Sequence, residues 1–417
     1  MAQPFWYKKR DMYCEDVPVA DIARKCGTPL YIYSQSALER QYRVFDEAFA
    51  PVPHLTCYAV KANSNLAILS LFRALGSGFD VVSGGELMRA FAAGMDPQRI
   101  IYSGVGKTAD EIDLGLRSGI LQFNIESAAE LGMVEARARA MDRVADIALR
   151  VNPDVDSRTH PYISTGARGH KFGIAFDRAL PVYRRARRSR HLRIRGVACH
   201  IGSQITVLEP FLSALERLKE IVSCLRSEGI RISNLDLGGG LGIAYDDEAT
   251  PHPAEYARAI LAAARDLDCR LLLEPGRVIA GNAGIMVTRV IVTKQNGPRN
   301  FVVVDAGMND LLRPSLYGAH HRVQAVALTR RAGWKADLVG PICESGDFLA
   351  RDRNMTRVRA NELLAIMSAG AYGFVLSSNY NSRARAAEVL VRGSRIKVIR
   401  RRERFPDLIR GEALRPL

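Results

Sequence analysis

The pattern of apolar and polar residues from position 36 to position 280 predicts strands that alternate with helices. In the first predicted helix, Ser36 and Glu39 form a capping box. The apolar face of this helix consists of Leu38, Tyr42, Phe45 and Phe49. Short apolar runs that predict strands follow at Leu55–Val60, Phe79–Val82, Ile100–Ser103, Leu121–Ile125, Ile147–Val151, Ile194–His200, Ile232–Leu237 and Leu271–Glu274.

Eight strand–helix repeats within about 240 residues are typical of a (β/α)8 barrel, whose active site lies at the carboxyl ends of its strands. A doubly wound open sheet is the alternative, but the glycine motif for nucleotide binding that would follow its first strand is absent. We therefore predict a barrel over residues 35–283. Its strands end on polar residues or glycine: Lys61, Asn124 with Glu126, Arg150, His200, Gly238–Gly240 and Glu274.

The pattern changes near residue 284, after which strand-like runs and turn residues dominate. They predict an antiparallel β-domain over residues 284–417. Residues 1–34 contribute to it, because the strand-like run Thr28–Tyr33 lies outside the barrel strands. The predicted C-terminal strands are Ile285–Val292, Phe301–Asp305, Val323–Leu328, Ala336–Val339, Leu363–Ser368, Glu388–Val391 and Arg395–Ile399.

The net charge of +15 raises the question of nucleic-acid binding. The arginines, as in 184–188 and 400–404, are not interleaved with aromatic residues that could stack on bases. We therefore interpret them as a solvated surface that can attract anionic ligands, and we expect no nucleic-acid partner.

The seven cysteines are scattered, odd in number and without a CxxC pair, which argues against a disulfide framework and against a metal site. They are typical of a reducing cytoplasm. The sequence has no apolar run of about 18 residues, so we expect no membrane span. Its first ten residues have no apolar core behind a basic start, so we expect no secretory signal. We therefore predict a cytoplasmic protein.

Lys61 is the first candidate for chemistry, because it follows an apolar strand directly. A lysine at the edge of a buried sheet is partly desolvated, which makes its amine a better nucleophile. Such an amine can hold a carbonyl cofactor such as pyridoxal 5'-phosphate (PLP) as a Schiff base. Taken alone, a lysine at a strand end is more often simply a solvated charge.

Three further strand ends could complete a cofactor site. Gly238–Gly242 lets backbone amides close on a phosphate, although a simple tight turn explains it equally well. Glu274–Arg277 combines a carboxylate, a glycine and a cation, and a carboxylate opposite a pyridine nitrogen keeps that nitrogen protonated. His200–Gln204 offers a ring and a hydroxyl, although a single histidine is more often structural.

The ordered motifs of this chain resemble those of the PLP-dependent decarboxylases of the alanine-racemase-like fold, over nearly the whole length. The motifs are Tyr58–Asn63, His200–Gln204, Gly238–Gly240, Glu274–Arg277, Cys343–Ser345 and Gly370–Gly373. Within that group, His160–Gly166 with Lys171–Ile174, and Asp305–Tyr317, resemble segments of the diaminopimelate decarboxylases. The resemblance implies decarboxylation of meso-2,6-diaminopimelate to L-lysine and CO2, the last step of that lysine pathway.

The resemblance also implies roles for individual residues. The implied catalytic residues are Lys61, which would hold PLP, His200, which would stack on its ring, and Cys343, which would protonate the carbanion. The implied cofactor-binding residues are Lys61, Asp80, Glu86, Arg150, His200, Ser203, Gly239, Gly240, Glu274, Gly276, Arg277 and Tyr372. The implied substrate-binding residues are Arg277, Arg313, Tyr317, Glu344 and Tyr372.

In this family, Cys343 and Glu344 would reach into the site of a neighbouring subunit, so the resemblance implies a homodimer with shared sites. The carboxylate next to Cys343 favours the protonated thiol, which suits a proton donor.

Four rival functions remain to be weighed. A decarboxylase for ornithine, arginine, lysine or carboxynorspermidine is disfavoured by Arg313 and Tyr317, because an arginine there expects a carboxylate partner. Alanine racemase is disfavoured because the Cys343–Glu344 segment matches the decarboxylases. A PLP carrier of the single-barrel kind would lack the β-domain. A silent regulator should have lost Lys61 or Cys343.

Overall fold

A computed structural model describes residues 4–157, 159–166 and 169–414 of the chain. The chain divides into two compact units. The barrel unit comprises Gln41–Ile243 and Ala249–Ile279. The β-unit comprises Met1–Arg40, Ala244–Glu248 and Ala280–Leu417.

The strands are named in chain order. They are β1 Phe5–Lys8, β2 Asp11–Cys14, β3 Val17–Pro18, β4 Leu30–Ser34, β5 His54–Ala59, β6 Gly78–Val81, β7 Ile100–Tyr102, β8 Gln122–Ile125, β9 Ala145–Asn152, β10 Ile174–Ala175, β11 Leu192–Ala198, β12 Asn234–Asp236, β13 Arg270–Leu273, β14 Gly284–Asn296, β15 Arg299–Val304, β16 Val323–Ala325, β17 Gly333–Val339, β18 Phe348–Thr356, β19 Leu363–Ile366, β20 Ala387–Arg392 and β21 Arg395–Arg400.

The α-helices are named in the same way. They are α1 Val19–Cys26, α2 Gln35–Glu47, α3 Leu66–Ala74, α4 Gly84–Ala92, α5 Ala109–Ser118, α6 Ala128–Ala140, α7 Phe176–Arg187, α8 Glu209–Ser227, α9 Pro253–Ala263, α10 Arg277–Ala280, α11 Arg313–Tyr317 and α12 Phe405–Leu408. Short 3-10 turns lie at Val60–Ala62, Pro97–Arg99, Pro161–Ile163, Gly281–Ala283, Phe374–Leu376 and Tyr380–Ser382.

The barrel unit is built around a closed parallel ring of strands in the order β5-β6-β7-β8-β9-β11-β12-β13. The ring closes because β13 pairs with β5 and β8 pairs with β9. The short strand β10 adds to β9 outside this ring. Each of the eight strands overlaps one predicted from the sequence, so the predicted barrel is confirmed.

Helix α2 confirms its predicted apolar face and corrects its predicted cap. Leu38, Tyr42 and Phe45 of α2 are buried, and Phe49, which lies just after the end of the helix, is buried as well. The predicted capping box of Ser36 and Glu39 is wrong, because the helix begins at Gln35 and Ser36 already lies in its first turn. Ser34 Oγ, three residues before Ala37, accepts the hydrogen bond from the Ala37 amide at 3.1 Å.

The β-unit contains a sheet in the order β18-β17-β15-β14-β4-β20-β21, with β19 paired to β14 and β16. Most pairings are antiparallel as predicted, but β15 pairs with β17 and β4 pairs with β20 in parallel, so the sheet is mixed. The whole barrel sequence separates β4 from its partner strands β14 and β20. Local turns therefore do not determine whether β4 pairs with them in parallel or antiparallel.

Residues near the N-terminus complete one core of the β-unit. Strands β1 to β3 form a small antiparallel sheet, and helix α1 follows it. Phe5, Met12 and Ile22 from this segment pack in one buried cluster with Ile285 of β14 and Val389 of β20. This packing explains why the N-terminal segment belongs to the β-unit although it precedes the barrel in sequence.

Among the described residues, none of the helices combines the length and the apolar character that crossing a membrane requires.

Candidate active site

The barrel unit gathers its candidate residues at one rim. All ring strands are parallel, so their carboxyl ends meet on the same side of the barrel. Lys61 lies in the 3-10 turn Val60–Ala62 directly after β5, and Asp80 lies in β6 next to it. Lys61 Nζ donates to Asp80 Oδ2, and the two groups form an ion pair.

Lys61 is partly removed from solvent and is paired with a buried carboxylate. The Lys61 side chain is 31% exposed, whereas Asp80 is fully buried. Asp80 Oδ1 is buried and has no hydrogen-bond partner within the described part of the chain, so this carboxylate can accept a further hydrogen bond.

Glu86 lies in the first turn of α4, a helix capped by Ser83. Its carboxylate accepts a hydrogen bond from the Val82 amide at 2.9 Å. Burial raises the pKa of Glu86 to about 7, against the opposing effects of that hydrogen bond and of Lys61. Glu86 is therefore a group near Lys61 that gains or loses a proton around neutral pH.

His200 follows β11 at the same rim, and its ring is neutral. The Gly239 amide donates to His200 Nδ1 at 3.1 Å, so this nitrogen is an acceptor and the proton lies on Nε2. Burial, reinforced by Arg150 and Lys61, lowers the pKa of His200 well below its usual value. Glu274 Oε2 lies 3.9 Å from His200 Nδ1, but the two groups do not form an ion pair because the His200 ring is neutral.

Glu274 lies just after β13 and belongs to a buried hydrogen-bonded group. Its Oε1 lies 3.3 Å from Ser103 Oγ and 3.5 Å from Asn124 Nδ2. Asn124 also donates to Asp236 Oδ2 at 2.8 Å. Burial raises the pKa of Glu274 well above its usual value, and the nearby Asp236 and Asp80 carboxylates raise it further.

Asp236 is a site residue that the sequence interpretation missed. It is fully buried, and its Oδ1 accepts from the Gly238 amide at 2.9 Å. Burial, with a smaller contribution from the nearby Asp80 carboxylate, raises the pKa of Asp236 to about 6. The available signal was the polar alternation of Asn234 and Asp236 in a short strand before the glycine run.

Arg150 lies near the carboxyl end of β9 and is held by a buried carboxylate. Its Nη1 pairs with Glu126 Oε1 at 2.8 Å, and its Nη2 donates to the His200 carbonyl at 3.2 Å. The guanidinium also lies 4.9 Å from the centre of the Phe172 ring. Glu126 Oε2 accepts from the Gly173 amide at 2.8 Å, so this pair links β8, β9 and the segment before β10.

The predicted phosphate-binding residues are Ser203 and the glycines Gly239, Gly240 and Gly276. Arg277 Nη2 donates to Ser203 Oγ at 2.9 Å, which brings together a hydroxyl and a cation. The Gly239 amide donates to His200 Nδ1 in this structure. Gly240, with φ of +118°, and Gly276 are the remaining candidates for backbone donation.

The residues of the β-unit form their own clusters. Arg313 begins helix α11 and is buried, and its Nη1 donates to His321 Nε2 at 2.8 Å. Tyr317 ends the same helix. Tyr372 has a φ of +55°, a left-handed conformation that is rare for an aromatic residue and often marks a functional position.

Cys343 and Glu344 lie in an exposed turn of the β-unit. The Cys343 amide donates to Asn381 Oδ1 at 2.8 Å. The Glu344 carboxylate interacts with the Tyr380 hydroxyl and raises the pKa of that phenol. Ser315 Oγ of α11 donates to the Gly346 carbonyl at 2.6 Å, so the turn is tied to the helix that carries Arg313.

The barrel rim fits PLP. Asp80 Oδ1 has acceptor capacity to spare, and Glu274 is a buried acid of raised pKa that could face a ring nitrogen. A Cβ atom on Gly239 would lie 2.2 Å from the Glu274 carbonyl oxygen, so only glycine allows this close backbone approach. For metals the result differs: the described residues contain no group of three His, Cys, Asp or Glu that could hold an ion.

Comparisons with known proteins identify the family. Residues 35–281 match the pyridoxal-binding domain of the pyridoxal-dependent decarboxylases. The chain is 52% identical to the diaminopimelate decarboxylase of Pseudomonas aeruginosa, over 99% of each chain. It is also similar to the crystal structure of diaminopimelate decarboxylase from Helicobacter pylori complexed with L-lysine (42% identity, 94% of this chain and 98% of that one, TM-score 0.91).

A third relative is the diaminopimelate decarboxylase of M. jannaschii in co-complex with L-lysine (35% identity, 99% and 98% of the two chains, TM-score 0.94). The chain therefore belongs to the pyridoxal-dependent decarboxylases and, within them, to the diaminopimelate decarboxylases. Its cofactor is pyridoxal 5'-phosphate, as the resemblance implied.

Proposed function

We propose that the protein decarboxylates meso-2,6-diaminopimelate to L-lysine and CO2, the last step of lysine synthesis by that route. The observation that carries the proposal is the placement of Lys61, His200 and the buried Glu274 on one barrel rim. The substrate is supported by relatives that are named diaminopimelate decarboxylase and by two that were solved with L-lysine.

The barrel residues would hold and tune the cofactor. Lys61 would hold it covalently through Nζ until the amine of the substrate takes that place. Neutral His200 would pack on the ring, and Ser203 with the backbone amides of Gly239, Gly240 and Gly276 would bind its phosphate. When bound, PLP supplies an electron sink for the electron pair that departing CO2 leaves behind.

The buried carboxyl pair would fix the charge under the ring. Glu274, as a carboxylate, would accept a hydrogen bond from the protonated ring nitrogen, and the nearby Asp236 raises the proton affinity of Glu274. Asp80, Glu86 and Arg150 would complete the electrostatic surroundings, with Asp80 paired to Lys61 until the cofactor is attached.

Charged and polar side chains would recognise the far end of the substrate. The guanidinium groups of Arg313 and Arg277 and the Tyr317 hydroxyl would bind its distal carboxylate. Glu344 would bind the distal ammonium, and Tyr372 would contact the cofactor or substrate. A substrate that lacks the distal carboxylate, such as ornithine or arginine, would leave the buried guanidinium groups without that partner, which is the basis of selection against it.

The Cys343 thiol would protonate the carbon that has lost CO2. Cys343 and Glu344 lie in an exposed turn, where a second copy of the chain could meet them. We therefore propose a homodimer in which each chain supplies Cys343 and Glu344 to the site of its partner. The proposed enzyme is cytoplasmic, and its reaction requires neither nucleic acid nor a membrane.

A substrate panel tests this proposal. Purified holoenzyme is incubated with meso-diaminopimelate, the other diaminopimelate isomers, ornithine and arginine, and both CO2 and the amine product are measured. We expect turnover of meso-diaminopimelate to lysine with at least about 100-fold preference over ornithine, as unpaired buried charges predict. Faster turnover of ornithine or arginine would refute the substrate assignment.

A further inference from the structure

His321 is a buried residue of the β-unit that directly contacts Arg313 and that the proposed function leaves without a role. Arg313 is 4% exposed and His321 is fully buried. Arg313 Nη1 lies 2.8 Å from His321 Nε2, and the guanidinium lies 4.6 Å from the centre of the Tyr245 ring. Tyr245 and His321 in turn meet edge to face, with ring centres 5.1 Å apart.

The hydrogen bonds of His321 fix its protonation. A guanidinium can only donate, so Nε2 accepts and carries no proton. His321 Nδ1 lies 2.8 Å from the Met367 carbonyl oxygen, which can only accept, so Nδ1 carries the proton. Both ring nitrogens are therefore engaged, and His321 is the neutral tautomer with its ring plane fixed.

A neutral acceptor differs from a carboxylate in its effect on the arginine. A carboxylate at this position would hold the guanidinium but would also neutralise it and compete with any carboxylate ligand. The neutral imidazole of His321 accepts one N–H of Arg313 and so orients the guanidinium without adding a negative charge beside it. The Tyr245 ring supports the flat face of the guanidinium and leaves its edge to form hydrogen bonds.

We infer that His321 and Tyr245 are positioning residues that hold Arg313 in a fully charged, oriented state for the distal carboxylate of the substrate. This inference rests on the proposed function, because it takes Arg313 as a ligand of that carboxylate. Selectivity for a substrate with a distal carboxylate then depends on His321 and Tyr245 as well as on Arg313.

A matched pair of variants tests His321. His321→Gln can place its side-chain oxygen near the position of Nε2 and keep an acceptor for Arg313. His321→Asn reaches only the position of Nδ1, so it keeps the bond to Met367 and loses the one to Arg313. We expect KM for meso-diaminopimelate to rise at least about 10-fold in His321→Asn with kcat nearly unchanged, and clearly less in His321→Gln.

A binding measurement separates positioning from general damage. Lysine keeps the distal carboxylate after decarboxylation, whereas the five-carbon diamine cadaverine has no carboxylate. Their binding to holoenzyme is followed through the visible absorbance of the cofactor. We expect His321→Asn to weaken lysine binding at least about 10-fold and to leave cadaverine binding unchanged.

Equal weakening of both ligands, or an unchanged KM in His321→Asn, would overturn the inference. Because a variant at a buried histidine can fail to fold, Tyr245→Leu against Tyr245→Phe gives a second test. The leucine is expected to lower the ratio of lysine to cadaverine affinity, and the phenylalanine, which keeps the ring face, to preserve it. If the ratio is the same in both, the inference fails.

A failure of the proposed function has a different signature, because wild-type holoenzyme would then neither turn over meso-diaminopimelate nor prefer lysine to cadaverine.

Discussion

Individual side chains in this protein show how burial changes acid–base behaviour. Asp310, three residues before Arg313, is 1% exposed and accepts a hydrogen bond from the Gly307 amide at 3.1 Å. Burial raises the pKa of Asp310 to about 7, against the opposing effects of that hydrogen bond and of Arg383. Since the raised pKa belongs to the folded state, folding favours the protonated acid.

Asp310→Asn should therefore change how stability depends on pH. The contribution of Asp310 is complete below about pH 4 and is lost as the pH rises through 7, by at most about 4 kcal/mol. We expect wild type to lose more unfolding free energy than Asp310→Asn between pH 5 and pH 8, measured by urea denaturation of the apoprotein. The exposed Asp352→Asn serves as control, and parallel profiles for all three proteins would contradict this assignment.

The sequence predicted the chemically active residues at the barrel rim better than the neighbouring groups that change the protonation or orientation of site residues. Lys61, His200 and Glu274 could be found because each follows an apolar run or begins a recognisable motif. Asp236 and His321 could not, because their importance lies in a neighbour that is distant in sequence, Glu274 for one and Arg313 for the other. Protonation states likewise depend on packing that a linear pattern does not contain.

Secondary-structure elements are joined at the rim by buried polar contacts. The Glu126 and Arg150 side chains are 2% and 10% exposed, and their ion pair bridges the ends of β8 and β9. Glu126 also accepts hydrogen bonds from the Gly173 and Gly104 amides, at 2.8 and 3.2 Å. Removing one partner of such a pair leaves the other charge buried without compensation.

Glu126→Gln should therefore destabilise the protein by about 3 kcal/mol, because Arg150 loses its counter-charge. The matched control is Glu220→Gln, which breaks the exposed pair between Glu220 and Arg217 (3.0 Å) and should cost less than about 1 kcal/mol. Urea denaturation of both variants provides the comparison. Similar losses in the two variants would show that the Glu126 pair contributes no more than a surface pair.

At the scale of elements, the barrel followed from sequence because each strand is apolar and is separated from the next by an amphipathic segment. Strand β18 was missed, since it is an edge strand rich in charged residues, as in Arg351–Arg353. The parallel pairings of β4 with β20 and of β15 with β17 were also missed. Such pairings depend on tertiary packing, which local turn residues do not specify.

The whole molecule is proposed to work as a homodimer, in which Cys343 of one chain serves the cofactor held by Lys61 of the other. Lys61→Ala and Cys343→Ala would each be nearly inactive as homodimers. In a mixed dimer, one of the two sites would combine an intact Lys61 with an intact Cys343. Random mixing should then restore about a quarter of the wild-type sites.

The measurement is decarboxylase activity after the two variants are mixed, dissociated and reassociated, with each variant treated alone as control. Activity that rises on mixing supports shared sites. If mixing restores nothing although mixed dimers form, then Lys61 and Cys343 act within one chain, and activity of Cys343→Ala alone would show that Cys343 is dispensable.

The central claim is that Lys61 holds the cofactor at the barrel rim, and chemical trapping tests it most directly. Holoenzyme is reduced with borohydride, which makes the lysine–cofactor link permanent, and the modified residue is identified by peptide mass spectrometry. We predict that Lys61 carries the label and that Lys61→Ala carries no stoichiometric label. Stoichiometric label on another lysine, with Lys61 unmodified, would contradict the account.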